Sequence, residues 1–304
     1  MTHQFKDLYQ VVTNQIITAL EAGTPPWVCP WSRTPGNAMP ANLATSRAYR
    51  GINTILLNMQ AMSHGYAVNR WLTFQQARAL GACVRKGETG TGIVFFKMLE
   101  RDAESSRCAN DEPARRVIPL LRSFTVFNAA QIEGLPEGLV APEATPDGWS
   151  PVAAAEDLLA RSGVTIRHGG DQAFYRPSDD VIQLPSQAVF PEASRYYNVA
   201  LHELTHATGH PSRCNRVLAG RQHIEAYAFE ELVAEMGSAF LSSHGGLPGE
   251  LQHASYLAHW LQALKSDTRL IFTAASMAQK AADFLLPPQA TAPNPQTSAI
   301  PALA

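Results

Sequence analysis

The sequence predicts an α+β protein built from two modules, and three observations support this fold class. The chain has 304 residues, about twice the usual size of one domain. Hydrophobic residues make up 45% of it and charged residues 16%, which excludes a wholly disordered protein. Helix and strand patterns occur on both sides of residues 131–150, a stretch rich in Pro, Gly and Glu that is typical of a linker.

The first predicted module covers residues 1–130. Apolar residues at helical spacing predict a helix over 5–21, and a second helix is predicted over 52–62. Thr73 is placed to cap a short helix that Gly81 ends. The segments GIVFFKML and RSFTVFNAAQI predict strands, and residues 100–116 between them predict a polar loop.

The second predicted module covers residues 151–286. A helix near 151–162 precedes the strand VTIRH and the segment AFYRPSDDVIQLP, whose alternation around a Ser-Asp-Asp turn predicts a β-hairpin. Three further helices are predicted over 191–209, 224–243 and 251–283, the last broken near Ser266. Residues 287–304 are mostly Pro, Ala, Thr and Gln, which predicts a disordered tail.

The charge of the chain differs between its two parts. Residues 1–130 contain 14 basic and 8 acidic residues, a net charge of +6. Residues 131–304 contain 10 basic and 18 acidic residues, a net charge of −8. A basic module joined to an acidic one indicates that the first module faces a polyanion such as nucleic acid.

Other sequence features indicate where the protein acts. No apolar stretch approaches the ~20 residues of a membrane-spanning helix, so no membrane partner is expected. The first residues lack the basic and apolar regions of a secretory signal. Four scattered cysteines without a CxxC pair are typical of a reducing compartment, so a cytoplasmic location is predicted.

The strongest chemical motif is HELTH in the first of the three helices of the second module. His202 and His206 are four residues apart, so one face of the helix presents both imidazoles to the same point. Glu203 follows the first histidine, which completes the H-E-x-x-H pattern of zinc metallopeptidases. The pattern predicts a Zn²⁺ site, although Mn²⁺, Co²⁺ or Ni²⁺ could occupy the same donors.

A catalytic zinc site needs a third protein ligand and one open position. On the following helix, Glu231 is predicted as this ligand, and Glu235, one turn later on the same face, as its hydrogen-bonding partner. The reverse assignment of these two acids stays open, and Glu230 is expected to point elsewhere. Rival third ligands are the histidines at 210, 223 and 244.

This ligand set predicts a zinc metallopeptidase in which Glu203 has a defined role. A zinc ion with two imidazoles and one carboxylate can lower the pKa of a bound water to ~7. Glu203 is predicted to take the proton of that water and pass it to the leaving amine.

Several segments resemble the ArdC-type antirestriction proteins of conjugative plasmids. In the second module these are HELTHATGHPSRCNR and EAYAFEELVAEMGSAFL, and in the first NLATSRAYRGINTILL and WLTFQQARALGACVRKGETGTGIVFFK. The resemblance implies an N-terminal domain that binds single-stranded DNA and a C-terminal zincin-like metallopeptidase domain. It also implies protection of incoming plasmid DNA from host restriction. Cys214 departs from the pattern, where an aliphatic residue is expected.

Aromatic and basic residues interleave in the first module, as single-stranded DNA binding requires. The predicted DNA-binding residues are Trp27, Trp31, Arg47, Tyr49, Arg50, Arg85 and Lys86. The aromatic ones lie in irregular segments, where rings can stack on bases. By contrast, Phe95 or Phe96, together with Trp71, is expected in the hydrophobic core.

Two functions from different classes follow. The first is a DNA-binding metallopeptidase that cleaves an unknown protein, such as a restriction-related or DNA-bound one. The second is a binding protein that shields DNA or blocks a partner, with a metal that serves structure or regulation. Metal content alone does not separate them, because both hold the ion.

Overall fold

The computed structural model of the chain describes residues 7–28, 39–102, 115–140, 151–218, 223–249 and 254–286. Helices and strands both occur in each predicted module, which confirms the α+β class. The predicted tail over 287–304 and residues 141–150 of the predicted linker lie outside the described residues. Within the described part of the chain, no helix has the length and apolar character needed to cross a bilayer.

The first module contains short and long elements around a mixed sheet. Its helices are α1 (Leu8–Glu21), α2 (Ile52–Ser63) and α3 (Phe74–Ala79). Its strands are β1 (Ala41–Asn42), β2 (Arg70–Thr73), β3 (Cys83–Val84), β4 (Thr91–Asp102) and β5 (Arg115–Asn128). A further strand, β6 (Ile132–Glu133), lies at the start of the predicted linker and pairs back with β3. The polar loop predicted over 100–116 is wrong at both ends, because β4 and β5 extend into it; residues 103–114 lie outside the described residues.

The main sheet has the strand order β1-β2-β5-β4. Strand β1 is parallel to β2, and the other neighbours are antiparallel, with β4 and β5 forming a long hairpin. Strands β3 and β6 pair separately. Thr73 caps α3 as predicted, because its hydroxyl accepts from the Gln76 amide while the Gln76 side chain accepts from the Thr73 amide.

The second module places helices over a small sheet. Its elements are α4 (Pro151–Arg161), β7 (Thr165–His168), β8 (Phe174–Arg176), β9 (Val181–Leu184), α5 (Ala193–Ala207), α6 (Ile224–Gly245), α7 (Leu257–Ser266) and α8 (Leu270–Leu285). The sheet order is β7-β9-β8, with β9 parallel to β7 and antiparallel to β8, so β8 lies at an edge. The predicted break near Ser266 is confirmed by the boundary between α7 and α8.

Helices α5 and α6 approach closely at one glycine. A β-carbon at Gly237 would lie 2.4 Å from Cγ2 and 3.1 Å from Oγ1 of Thr205. Thr205 is fully buried and its hydroxyl donates to the Leu201 carbonyl at 2.8 Å, so its side chain has little freedom to move. The absence of a side chain at Gly237 therefore sets the spacing between the two helices.

The variant Gly237→Ala is expected to be less stable than Gly245→Ala, a control on the same helix. Both gain helix propensity, but a β-carbon at Gly245 meets Ala154 at an ordinary 3.6 Å. Overpacking at Gly237 should lower the free energy of unfolding by about 1–3 kcal/mol relative to this control. Urea unfolding measures the difference. Adding Thr205→Ser to Gly237→Ala removes Cγ2 and should recover part of the lost stability. Equal stability of Gly237→Ala and Gly245→Ala would contradict the close approach.

The two modules share one hydrophobic core. Val12 and Ile16 of α1 and Trp27 lie in the same buried cluster as Trp260 of α7 and Ile271 of α8. The indole rings of Trp27 and Trp260 are 5.8 Å apart in an edge-to-face arrangement. The modules are thus packed against each other by α1, α7 and α8.

Polar contacts cross the same boundary between the modules. The Thr13 hydroxyl donates to the Thr268 carbonyl at 2.7 Å, and the Gly51 amide donates to Oε1 of Gln279 at 2.9 Å. Gly51 precedes α2 with φ 56° and ψ −131°, a conformation that favours glycine. Arg50 forms an ion pair with Asp283 of α8. The start of α2 is therefore fastened to the last helix of the second module.

Candidate metal centre

Three donor side chains converge between α5 and α6. Nε2 of His202 and Nε2 of His206 are 3.1 Å apart. One carboxylate oxygen of Glu231 lies 3.3 Å from Nε2 of His202, and the other lies 3.7 Å from Nε2 of His206. Among the described residues, these three form a group whose ligand atoms all lie within 4.8 Å of one another.

The geometry of this group fits a divalent cation. Two zinc-bound imidazole nitrogens at ~2.0–2.1 Å from a tetrahedral ion are ~3.3 Å apart, close to the spacing of the two Nε2 atoms. Two neutral imidazoles and one carboxylate are a donor set that zinc and related ions take. His202 and Glu231 are 1% and 2% exposed, so the donors are held in a largely buried position.

The elements explain why these side chains meet. His202 and His206 are one turn apart on α5, so their imidazoles lie on one helix face. Glu231 comes from α6, which packs against α5 with the close approach at Gly237. The predicted third ligand therefore lies beside both histidines, while its role as a ligand stays a prediction.

The charges of this group balance one another. Burial alone would lower the pKa of His206, but hydrogen bonds to Glu230 and Glu231 and the charge of Glu203 raise it to about 10. Burial raises the pKa of Glu231, yet its contacts with His202 and His206 hold that pKa well below its usual range. A proton on His206 thus compensates the carboxylates, and a bound cation would take over this role.

Glu203 lies next to the converging donors. It follows His202 on α5, is 6% exposed, and is close enough to His206 for its charge to raise the pKa of that imidazole. Glu203 is thus a buried carboxylate close to the donor group, and its role as general base stays a prediction.

Glu230 lies outside the donor group but contacts His206 at its other ring nitrogen, a partner that the sequence did not indicate. Nδ1 of His206 donates to Oε1 of Glu230 at 3.2 Å, which turns Nε2 toward His202 and Glu231. Burial raises the pKa of Glu230, but hydrogen bonds from His206 and Arg216 outweigh it and lower that pKa. Consecutive positions on α6 thus supply one acid to the donor group and one to the imidazole behind it.

Arg216 is a site residue that the sequence analysis missed. Its Nε and Nη2 donate to the two carboxylate oxygens of Glu230 at 3.0 and 2.7 Å. It also donates to Oγ1 of Thr208 and to the carbonyl of Thr205, both at 2.7 Å. The side chains of Arg216 and Glu230 are 4% and 6% exposed, so this is a buried ion pair. The sequence signal for this pair was the presence of two arginines, Arg213 and Arg216, in the short segment that follows α5.

The remaining predicted candidates lie apart from the three donors. Glu235 is buried on α6, one turn after Glu231, and its role as a hydrogen-bonding partner stays a prediction. Nδ1 of His210 contacts the Ser212 hydroxyl at 2.8 Å, His223 is the residue that precedes α6, and His244 lies in the last turn of α6. Within the described part of the chain, none of these histidines belongs to the donor group.

A second ion pair ties the edge strand to the helix of the histidines. Arg213 follows α5, donates to the Ala207 carbonyl at 2.7 Å and pairs with Asp180 in the turn before β9. The hydrogen bond from Arg213 lowers the pKa of Asp180 to about 2. Burial and the hydrogen bond to Asp180 raise the pKa of Tyr175 on β8 to about 12. Strand β8 is thus held beside α5.

The aromatic residues predicted to stack on DNA bases differ in how far they are exposed. Trp27 is 3% exposed and packs on Trp260, so its predicted role in base stacking is wrong. Trp31 lies outside the described residues. Tyr49 is half-buried, its hydroxyl accepts from Asn42 at 3.3 Å, and burial raises its pKa. Its DNA-binding role stays a prediction.

The predicted basic residues lie at or near the surface. Arg50 pairs with Asp283, Arg85 pairs with Glu88 at 2.7 Å, Lys86 is exposed and Arg47 is half-buried. Their DNA-binding roles stay predictions.

The expectation that Phe95 or Phe96 belongs to the core is wrong, whereas that for Trp71 is confirmed. Phe95 is 44% exposed and Phe96 is 54% exposed. Trp71 is fully buried in the sheet of the first module.

Comparisons with known proteins match both modules. Residues 6–127 match the family model of the N-terminal domain of anti-restriction factor ArdC, and residues 153–277 match that of a zincin-like metallopeptidase. The chain is 46% identical over 288 residues to the uncharacterized protein y4eC of Sinorhizobium fredii, covering 92% of this chain and 91% of that protein. It is 46% identical to a DNA primase TraC of Escherichia coli, of which it spans 27%.

Two crystal structures of the antirestriction ArdC protein from plasmid R388 resemble the whole fold. The metal-free structure has a TM-score of 0.76 and the Mn(II)-bound structure a TM-score of 0.75, each at 42% identity. Each match covers 92% of this chain, and 96% and 97% of the two solved chains.

Proposed function

Because the chain belongs to the ArdC family of antirestriction proteins, we propose that it binds single-stranded DNA and carries a metallopeptidase centre at His202, His206 and Glu231. Together these would protect incoming plasmid DNA from host restriction. The observation that carries the peptidase proposal is the convergence of the three donors beside the buried carboxylate of Glu203.

The residues of the chain have distinct roles in this chemistry. His202, His206 and Glu231 would hold the ion, which when bound would activate water near neutral pH and polarise the substrate carbonyl. The carboxylate of Glu203 would accept the proton of the attacking water and then donate it to the nitrogen of the leaving amine. Glu230 would keep a hydrogen on Nδ1 of His206, so that Nε2 is available for the ion.

The metal is proposed to be zinc, with manganese as the alternative. Two imidazoles and one carboxylate suit zinc, and the zincin-like family model agrees with this choice. The Mn(II)-bound structure of the R388 protein favours manganese as an occupant of the same fold.

The edge strand β8 is the proposed binding place for a protein substrate. One side of β8 pairs with β9, and Arg213 and Asp180 fasten this part of the sheet to the end of α5. An extended peptide could pair with an edge strand through its backbone, which would bring a peptide bond toward the helix of the histidines. Backbone pairing accepts many sequences, so substrate choice would come from elsewhere.

A second candidate function is a DNA-directed module that shields DNA, with a metal serving structure or regulation. The observation favouring it is the recurrence of nearly this whole chain as 27% and 20% of two proteins named DNA primase TraC. In this reading the metal centre would stabilise the module without hydrolysing peptides.

The variant His202→Ala tests the metal centre and its link to antirestriction. Loss of one of three donors should lower the bound metal to below a tenth of the wild-type content and lower the melting temperature of the metal-loaded protein. Elemental analysis and thermal unfolding measure both effects. Plasmid transfer into restricting and non-restricting hosts then shows whether protection needs the metal. Unchanged metal content would contradict the ligand assignment, and His210→Ala is the control.

A further inference from the structure

The hairpin of β4 and β5 extends beyond the rest of its sheet. Strand β2 pairs with β5 at residues 126–128, whereas β4 stays paired with β5 from Val126 to Arg115. Within the described residues, β5 therefore has no paired strand on its β2 side between Arg115 and Thr125.

Two phenyl rings and one guanidinium share a face of the hairpin. The register places Ile93 opposite Phe124 and Phe95 opposite Arg122, and paired residues of antiparallel strands project to the same side. Ile93 is 9% exposed because it packs in a cluster with residues of α2. Beyond that cover, Phe95 and Phe124 are 44% and 45% exposed, with ring centroids 6.1 Å apart at 85°.

We infer that Phe95, Phe124 and Arg122, here called the aromatic strip, form the surface on which the bases of single-stranded DNA stack. This inference rests on the proposed DNA binding. It assigns base stacking to Phe95 and Phe124 in place of the buried Trp27. Exposed rings offer faces to unpaired bases, while a cation beside them meets the phosphate backbone. Duplex DNA keeps its bases stacked on each other, so the strip would favour single strands.

The charge of the module that carries the strip suits a polyanion. Residues 1–130 have a net charge of +6, and Arg122 places one of these positive charges beside Phe95. The Asn53 side chain binds the amide and the carbonyl of Val94 at 2.9 and 2.7 Å, which holds the start of α2 beside Phe95. A nucleic acid fits this combination of rings and positive charge better than an apolar protein surface does.

Binding of a fluorescein-labelled dT20 oligonucleotide to the full chain tests the inference. In fluorescence anisotropy, Phe95→Ala and Phe124→Ala should each weaken binding roughly tenfold, whereas tyrosine at either position should retain most of it. Arg122→Ala should weaken binding and reduce the slope of log K against log salt by about one. Phe96→Ala is the matched control, because Phe96 is 54% exposed and projects to the opposite face; its affinity should stay within about twofold of wild type.

The outcomes separate this inference from the proposed function. If the wild-type chain binds dT20 and the Phe95 and Phe124 variants bind as tightly as Phe96→Ala, the aromatic strip is not the stacking surface. If the wild-type chain does not bind dT20, the proposed DNA binding and the strip both fail. If Phe95→Ala or Phe124→Ala changes the sedimentation coefficient relative to wild type but not the affinity for dT20, the strip is instead a contact between copies of this chain.

Photocrosslinking of the wild-type chain needs no substitution in the hairpin. An oligonucleotide carrying 5-iodouracil should form adducts at Phe95 or Phe124 that mass spectrometry identifies. Adducts confined to other parts of the chain would overturn the assignment even if the alanine variants failed to fold.

Discussion

Replacing Glu203 with glutamine is expected to remove peptide hydrolysis while metal and DNA stay bound. Glutamine has nearly the same shape as glutamate but cannot accept the proton of the attacking water. Loss of a general base typically lowers the rate by ~10²–10⁴-fold. Cleavage of casein by the metal-loaded chain, with and without dT20, measures the rate, and elemental analysis checks the metal content.

The same variant separates the two proposed functions in cells. If Glu203→Gln loses protection of plasmid DNA in a restricting host, hydrolysis is part of antirestriction. If it keeps full protection and binds metal as wild type does, the shielding function is favoured. His210→Ala, a change on the loop after α5 outside the donor group, serves as the control with both activities retained.

The second large effect is expected from Arg216→Met, which leaves a carboxylate buried without its guanidinium. Removing one partner of a buried ion pair typically costs about 3–5 kcal/mol of stability. The Thr205 carbonyl, close to the end of α5, loses a donor as well. Because Glu230 orients His206, the affinity for metal should also fall by about 10–100-fold. Urea unfolding and metal titration of the same variant measure the two effects.

The double variant Arg216→Met/Glu230→Met provides the control for this prediction. Removing both charges should recover much of the stability, since no buried charge is left unpaired. It should not recover metal affinity, because replacing Glu230 removes the acceptor of Nδ1 of His206. If the single Arg216 variant unfolds like wild type, the ion pair does not contribute as its burial indicates.

Local spacing made the donor group predictable from sequence. Two histidines four residues apart face the same way on any helix, so HELTH was sufficient to predict that His202 and His206 converge. The sequence narrowed the third donor to Glu231 or Glu235 on one face of an otherwise apolar helix, and the structure places Glu231 beside the two histidines. The boundaries of most helices followed from capping residues such as Thr73 and from breaks such as that at Ser266.

Contacts between distant segments were not predictable in the same way. Glu230 and Glu231 differ by only 100° around α6, so their separate partners depend on how α5 and the segment after it pack. Trp27 lies in an irregular segment, which suggested exposure, yet its partner Trp260 is 233 residues away in the chain. Phe95 follows two buried residues but lies beyond the cover of α2, and a strand pattern does not show where a covering helix ends.

The hydrophobic core shared by the two modules affects which protein substrates could reach the proposed metal centre. The hairpin that carries Phe95 and the helix that carries His202 belong to one packed body, because α1 and the start of α2 are fastened to α7 and α8. Under the proposed function, the distance from a nucleotide bound at the hairpin to the proposed metal centre would therefore be fixed by the packing of the two modules and not by a flexible linker. A substrate protein would then be chosen by its position on the DNA strand, because only a protein at this fixed distance from the bound nucleotide could reach the metal centre.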